Sequence, residues 1–489
     1  MIGLLIIGAG TLVLELICWA CGIDTSARFF AFATILNSLA WLAFNRLCTN
    51  WRTQTKVLCF TAVTLWAQGV FLLQTRENIA AFQDWTTFSD DSFYLSNGMN
   101  FADALTSAGK TEYIGAFQTI TNTPHKGYIA LLGHLYVFFP FDRNILVRVA
   151  VNINIAVLVV LLGIVLRVAS VPETLWRRAL LWFLIAGFDL FYTATEVRKD
   201  VIILILLVAS IWIGSRLAVR PNVLIAISWL ALCVGLFYFR NVYVLIPVAC
   251  MIVATASSRR LGMPRRLLIA GTALGLLFLV YGLLVDSEFY RATSGTWGVR
   301  VAVDLEATGN GARLLRIPVL GPVLMGLIMP LPPMAFLFGG AALASTIELL
   351  RGLGNICFLS LLIRLVVLRI RTRGTWAYPV SLFALAAVVV FLSGVFGSIE
   401  ARHKLAVAPC TMICYFFFMY RRNNQRKMMG PLHPAEYVLR ACSDSRAGRA
   451  EACQRTGPAQ EGIREPTKRR PRRESHVFPA SPDWLNVQY

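Results

Sequence analysis

The sharpest chemical signal in the chain is the segment Ser89-Asp90-Asp91-Ser92-Phe93-Tyr94. Adjacent carboxylates beside a membrane can take a proton as a general base or hold a cation. Asp90 and Asp91 are therefore the candidate catalytic groups, with Tyr94 beside them. His125-Lys126-Gly127-Tyr128 follows, and then an amphipathic stretch, Ile129–Pro140, that contains His134. A third signal is Thr195-Glu196-Val197-Arg198-Lys199-Asp200, four charges between two apolar runs. Such charges are costly unless they face water or a site, which makes Glu196 and Asp200 a second acidic motif and Lys199 a cationic neighbour. Late in the chain stands Glu400-Ala401-Arg402-His403-Lys404. Arg402, His403 and Lys404 have the chemistry of a phosphate clamp, the guanidinium giving a fork and the ammonium a point charge. Arg240, in Phe239-Arg240-Asn241, is a further candidate for that clamp, as are Arg291, Arg313 and Arg316. Glu348 and Arg351 have the i,i+3 spacing of an intrahelical pair.

The elements that position these residues are apolar. Of 489 residues, 57% are hydrophobic and 15% charged, with mean hydropathy +0.64. A soluble chain of this length needs more charge to cover its surface. Apolar runs near the length that crosses hydrocarbon recur, and they lack the alternation of barrel strands. The predicted fold class is therefore all-α, a polytopic transmembrane bundle of about 12 spans. Spans are expected near Ile2–Cys21, Phe29–Phe44, Val57–Leu73, Asn144–Leu166, Leu180–Phe191 and Val201–Ile213. The others fall near Val223–Phe239, Val242–Thr255, Leu267–Val285, Ala342–Leu368, Val380–Val395 and Leu405–Tyr420. The first run lacks a basic leader and a small-residue cleavage site, so it is read as an uncleaved span.

The net charge of +20 is not a nucleic-acid signature, because the Lys and Arg residues lie mostly between apolar runs. With a cytoplasmic N-terminus, the basic groups around Arg46/Arg52/Lys56, Arg167/Arg177/Arg178, Arg216/Arg220, Arg259–Arg266, Arg369–Arg373 and Arg421–Lys427 share one side. The opposite side then owns the acidic motif, the charged turn at 196–200, the Asp286–Arg316 loop and the turn Gly397–Lys404. Pro318–Gly340, broken by Pro330, Pro332 and Pro333, reads as a re-entrant or surface-lying segment. The resulting organisation is N-terminal spans at 1–73, a long extracytoplasmic loop with an interfacial helix at 74–143, a transmembrane core at 144–420 and a tail at 421–489. That tail is basic and poor in aliphatic periodicity, and is expected to be disordered and cytoplasmic. The cysteines sit mostly singly in apolar runs, without zinc-type spacing.

The order of these motifs resembles the GT-C superfamily of membrane glycosyltransferases, which includes protein O-mannosyltransferases and aminoarabinose transferases. Asp90-Asp91 with Tyr94 resembles the D-E-x-x-Y pattern of its first outer loop. Pro124-His125-Lys126-Gly127-Tyr128 stands at its Pro-rich turn, and Arg143-Asn144-Ile145-Leu146-Val147-Arg148 at its span entry. Arg198-Lys199-Asp200 takes the place of its second acidic motif. Leu331-Pro332-Pro333-Met334 looks like its Pro-x-Pro turn, and Glu400–Leu405 its late E-x-R-Y/H-R-L motif. The departures are Asp91 for the commoner Glu, a single Pro124, and extra spans before the core.

The resemblance implies inverting transfer from a polyprenyl-phosphate sugar to an acceptor glycan, lipid or protein outside the cytoplasm, in a bacterial inner membrane. It implies Asp90 or Asp91 as base and a cationic cradle for the leaving phosphate. Some members need a divalent metal (Mg or Mn) and others do not, so no cofactor is assigned. The alternatives are an O-antigen or exopolysaccharide polymerase or ligase, and a lipid-linked sugar transporter or flippase.

Overall fold

The structure, a computed structural model, describes residues 9–13, 16, 19–20, 27–82, 89–107, 126–138, 142–257, 263–264, 267–268, 271–272, 275, 346–372, 380–397, 405 and 407–428. Among these the regular elements are all helical. In chain order they are α1 (Ala27–Leu47), α2 (Thr53–Phe82), α3 (Ser89–Ser107), α4 (Lys126–Phe138) and α5 (Arg143–Val168). Then come α6 (Trp176–Ala186), α7 (Phe188–Ala194), α8 (Asp200–Val219), α9 (Val223–Arg240) and α10 (Leu245–Ser257). The last three are α11 (Thr346–Thr372), α12 (Val380–Gly397) and α13 (Val407–Met428). The packing described below belongs to the unit Met1–Arg421; a second unit comprises Arg422–Tyr489.

Among the described residues six helices are long and apolar enough to cross a membrane: α1, the Thr53–Ile79 part of α2, α5, α8, α9 and the Leu349–Ile370 part of α11. The shorter apolar helices Leu245–Ala256, Val380–Val390 and Val407–Arg421 accompany them. The chain is a multi-pass membrane protein. Its outer helices show the solvent they were built for. On α9 the residues Val223, Leu224, Ile227, Leu230 and Val234 form one exposed apolar stripe, the pattern of a helix turned towards lipid. The most apolar window of α9 is 17% buried, whereas that of α5 is 83% buried. Helix α5 is the central post. Its start is capped by Asp142, whose carboxylate accepts from the Ile145 amide at 2.7 Å.

Several sequence expectations change here. The expected spans near Ile2–Cys21 and Leu267–Val285 lie for the most part outside the described residues, and the segment Pro318–Gly340 wholly so. The expected span Leu180–Phe191 is two short helices, α6 and α7, separated at Gly187. The expected loop at 74–143 is largely helical where it is described, because α2 continues to Phe82 and α3 begins at Ser89. Asp90 and Asp91 therefore open a helix rather than sit in an acidic turn. Ser and Asp suit that position, since carboxylates oppose the positive end of the helix dipole.

Helices α3 and α4 run side by side in the same direction, pairing Tyr94 with Tyr128 and Phe101 with His134. Their backbones approach closely at Gly98 and Gly133. A Cβ on Gly133 would stand 2.5 Å from Phe101 Cδ1 and 2.8 Å from the Gly98 carbonyl. His134 Nδ1 lies 2.6 Å from the Ala130 carbonyl, a local helical contact. This crossing holds the start of α3 against the bundle. Replacement Gly133→Val must push the two helices apart. It is expected to lower the stability of the detergent-solubilised protein by about 1–3 kcal/mol, read as a fall in the midpoint of thermal unfolding.

Candidate functional site

One end of the bundle gathers the starts of α3, α4, α5 and α11, the ends of α2 and α9, and the junction between α7 and α8. That junction, 195–199, is a turn held deep among apolar helices: Glu196, Arg198 and Lys199 are each buried. Backbone carbonyls there need donors, since apolar surroundings supply none. Asn154 of α5 provides them. Its Nδ2 donates to the carbonyls of Glu196 at 3.1 Å and Arg198 at 3.0 Å. Gln74, at the end of α2, completes the cradle, donating to Glu196 Oε1 at 3.4 Å and accepting from the Thr195 hydroxyl.

The side chains of the turn meet partners from across the chain. Arg198 Nε lies 2.9 Å from Glu196 Oε2 and 3.8 Å from Asp91 Oδ1, so two carboxyls share one guanidinium. Lys199 Nζ donates to the Tyr94 hydroxyl at 2.8 Å. Asp200 opens α8, where a carboxylate favours the helix dipole, and stands 3.6 Å from Arg240 Nη1 at the end of α9. Arg240 also covers the ring of Tyr243 at 4.8 Å. Lys126 stands 6.0 Å above the ring of Tyr238. Gly127 lets α4 close on α9 there, because a Cβ would come within 2.8 Å of the Tyr238 carbonyl oxygen. Tyr94 and Tyr128 pack edge to face, with centroids 5.2 Å apart.

Burial pushes the Glu196 carboxyl up to about 8. Arg198 pulls it down by less than burial raises it, and Asp91 adds to the rise. At neutral pH Glu196 is thus mostly protonated, which leaves Arg198 to the charge on Asp91. Among the described residues no group of three or more His, Cys, Asp or Glu side chains gathers at metal-ligating spacing.

A second polar cluster flanks the first. Arg351 Nε donates to Asp189 Oδ1 at 2.9 Å, and its guanidinium lies 4.1 Å from the centre of the Tyr192 ring. Asp189 on α7 thus comes to Arg351 from another helix; the side chain of Glu348, its expected i,i+3 partner, lies outside the described residues. Leu405 borders a small cavity together with Gly187, Asp189, Gly354 and Ala408, so the chain reaches α13 beside the Asp189–Arg351 pair.

Of the residues singled out from sequence, Asp91, Tyr94, Glu196, Lys199, Asp200 and Arg240 come together, and Lys126 borders them. The backbone of Asp90 is the second position of α3. His125, Arg402, His403 and Lys404 lie outside the described residues. Sequence reasoning passed over Arg198 as a site residue in its own right, and over Asn154, Gln74 and Tyr128. The signal for Asn154 was its place inside an apolar span, where polar side chains are rare and have partners.

Two outcomes follow from this geometry. Replacement Asn154→Leu strands two buried carbonyls and is expected to cost about 2–4 kcal/mol, seen as a lower unfolding midpoint in detergent. For Glu196 the folded value near 8 exceeds the ordinary 4.5. Its contribution to stability is therefore full below pH 4.5, declines as the unfolded chain ionises, and is lost as pH rises through 8. Unfolding midpoints compared at pH 6 and pH 9 should fall at the higher pH, and Glu196→Gln should flatten that fall.

No family model matches this chain, and no curated protein or solved structure matches it at a significant level.

Proposed function

We propose that the chain is an inverting membrane glycosyltransferase that moves a sugar from a lipid-phosphate donor to an acceptor glycan, lipid or protein. The observation that carries this reading is one polar site, buried at one end of a membrane bundle, that joins carboxyls to cations from distant parts of the sequence. A carboxylate is what a sugar hydroxyl needs to become a nucleophile. Cations are what a departing lipid phosphate needs, because phosphate carries charge readily and requires no general acid.

Asp91 takes the base role, and Asp90, its neighbour, is the other candidate for it. Protonated Glu196 supports that division, since it spares Asp91 a second negative charge at Arg198. In the transfer step, Asp91 accepts the proton of the acceptor hydroxyl as that oxygen bonds to the anomeric carbon. The bond from that carbon to the phosphate oxygen breaks with inversion, and the electron pair stays on the lipid phosphate. Lys199 and Arg240 balance its charge, joined by Arg402, His403 and Lys404 of the late motif. Asp200 orients Arg240 and the acceptor. A divalent metal such as Mg or Mn remains compatible with the family resemblance.

The proposed orientation puts this end outside the cytoplasm, in a bacterial inner membrane. The opposite end of the bundle carries Arg46, Lys56, Arg167, Arg177 and Arg216 at helix termini. It is tied together by Trp51 donating to the Val171 carbonyl at 3.1 Å and Thr55 to Glu173 at 2.6 Å. A basic end of this kind favours the cytoplasm.

Reconstituted protein offered radiolabelled polyprenyl-phosphate sugars, with envelope lipids and glycans as acceptors, is expected to transfer label. Asp91→Asn should lower the rate by at least about a hundredfold, a loss larger than the fall in folded protein that its weakened pairing with Arg198 brings, read from the unfolding midpoint. An Asp91→Asn protein with full activity removes the base assignment, and Asp90→Asn run in parallel tells the two carboxylates apart. Lipid-linked sugar that crosses liposomes without transfer favours the transporter.

A further inference from the structure

Tyr128 is 1% exposed, and its hydroxyl makes no hydrogen bond among the described residues. A phenol buried in that state costs the fold about 1–3 kcal/mol, a cost that persists where a function uses the group. Its surroundings identify the use. The ring stands edge to face on Tyr94, the residue whose hydroxyl receives the Lys199 ammonium. Burial holds the phenol well above its ordinary range, and the charges of Asp91 and Asp200 and the phenol of Tyr94 push it further up. The group therefore stays a neutral donor at any physiological pH, set between the two acidic motifs.

We infer that Tyr128 contacts the ligand, its hydroxyl donating a hydrogen bond to a neutral hydroxyl oxygen of the sugar carried by the lipid donor. The inference rests on the transferase reading and adds a residue that determines which polyol the site accepts. A carboxylate or phosphate oxygen is a poor partner here, because Asp91 and Asp200 repel an anion. A sugar hydroxyl suits the place: its oxygen accepts from Tyr128 while its proton goes to a carboxylate.

The test compares full-length wild type with Tyr128→Phe in detergent, a change that removes one oxygen atom. Two properties are read: the unfolding midpoint, and affinity for a panel of polyprenyl-phosphate hexoses, pentoses and aminopentoses beside bare polyprenyl phosphate. The expected midpoint is equal or slightly higher, since an unpaired buried polar group is gone. Affinity for the sugar-bearing lipid that wild type prefers should fall about tenfold, with bare polyprenyl phosphate bound as before. A clearly lower midpoint would mean that the hydroxyl already serves the fold, and the inference falls. Unchanged affinity for the sugar-bearing lipid, or an equal loss for both lipids, also overturns it while leaving the transferase reading in place. If wild type binds no sugar-bearing lipid, the transferase reading itself fails and takes the inference with it.

Discussion

The arrangement of this end of the bundle depends on one buried turn. Between α7 and α8 the chain leaves its helical hydrogen bonding inside an apolar bundle, and two of its carbonyls there are met by Asn154. Each carbonyl freed there must find a donor, or the turn moves out to the surface. Asn154 fills that need from the most buried of the spans. Because α5 is enclosed by its neighbours, the carboxamide is held in place, and so is the turn it grips. The charged side chains on the turn inherit that rigidity. Site geometry is here a consequence of backbone satisfaction, one level below the chemistry.

The charges impose a second condition. Glu196, Arg198 and Lys199 are buried, and isolated charges in such surroundings are unstable. Mutual pairing resolves this, but pairing alone rarely stabilises a fold against well-packed apolar residues. Burial outweighs the pull of Arg198 on Glu196, the Asp91 charge adds to it, and Glu196 keeps its proton at neutral pH. The result is a cluster in which one carboxyl, Glu196, keeps its proton beside the Arg198 guanidinium.

How far this was readable in advance varies by residue. The helical membrane class was legible, because hydropathy and span length act locally and each apolar run declares itself. The charged segments at 89–94 and 196–200 were legible for the same reason, since charges flanking apolar runs stand out. Their meeting was not. Asp91 and Arg198 are brought together by the crossing of α3 with α4 and by the packing of α5 against α2, and neither crossing has a sequence period. The local conformation was not legible either: the segment was expected within a long loop, yet the same residues form the first turn of a helix. Arg351 stands three positions from Glu348, and that spacing gives no sign that Asp189 on another helix comes to it. Local spacing lists possible pairs, and tertiary packing selects among them.

Tyr94 and Lys199 show why the two motifs belong to one device. Lys199 is buried at the start of α8 and its ammonium is directed to the Tyr94 hydroxyl. An ammonium so placed needs an acceptor, and a phenol is a modest one compared with a carboxylate or phosphate. The lysine is therefore held in position but not fully neutralised by that contact. Arg240, by contrast, faces Asp200 directly and is more exposed than Arg198. The cations thus reach different elements: Arg198 stands beside carboxyls of its own turn and of α3, Arg240 beside the first residue of α8, and Lys199 on a phenol of α3. The Lys199–Tyr94 contact therefore ties the start of α8 to the start of α3, so that neither charged segment takes its position without the other.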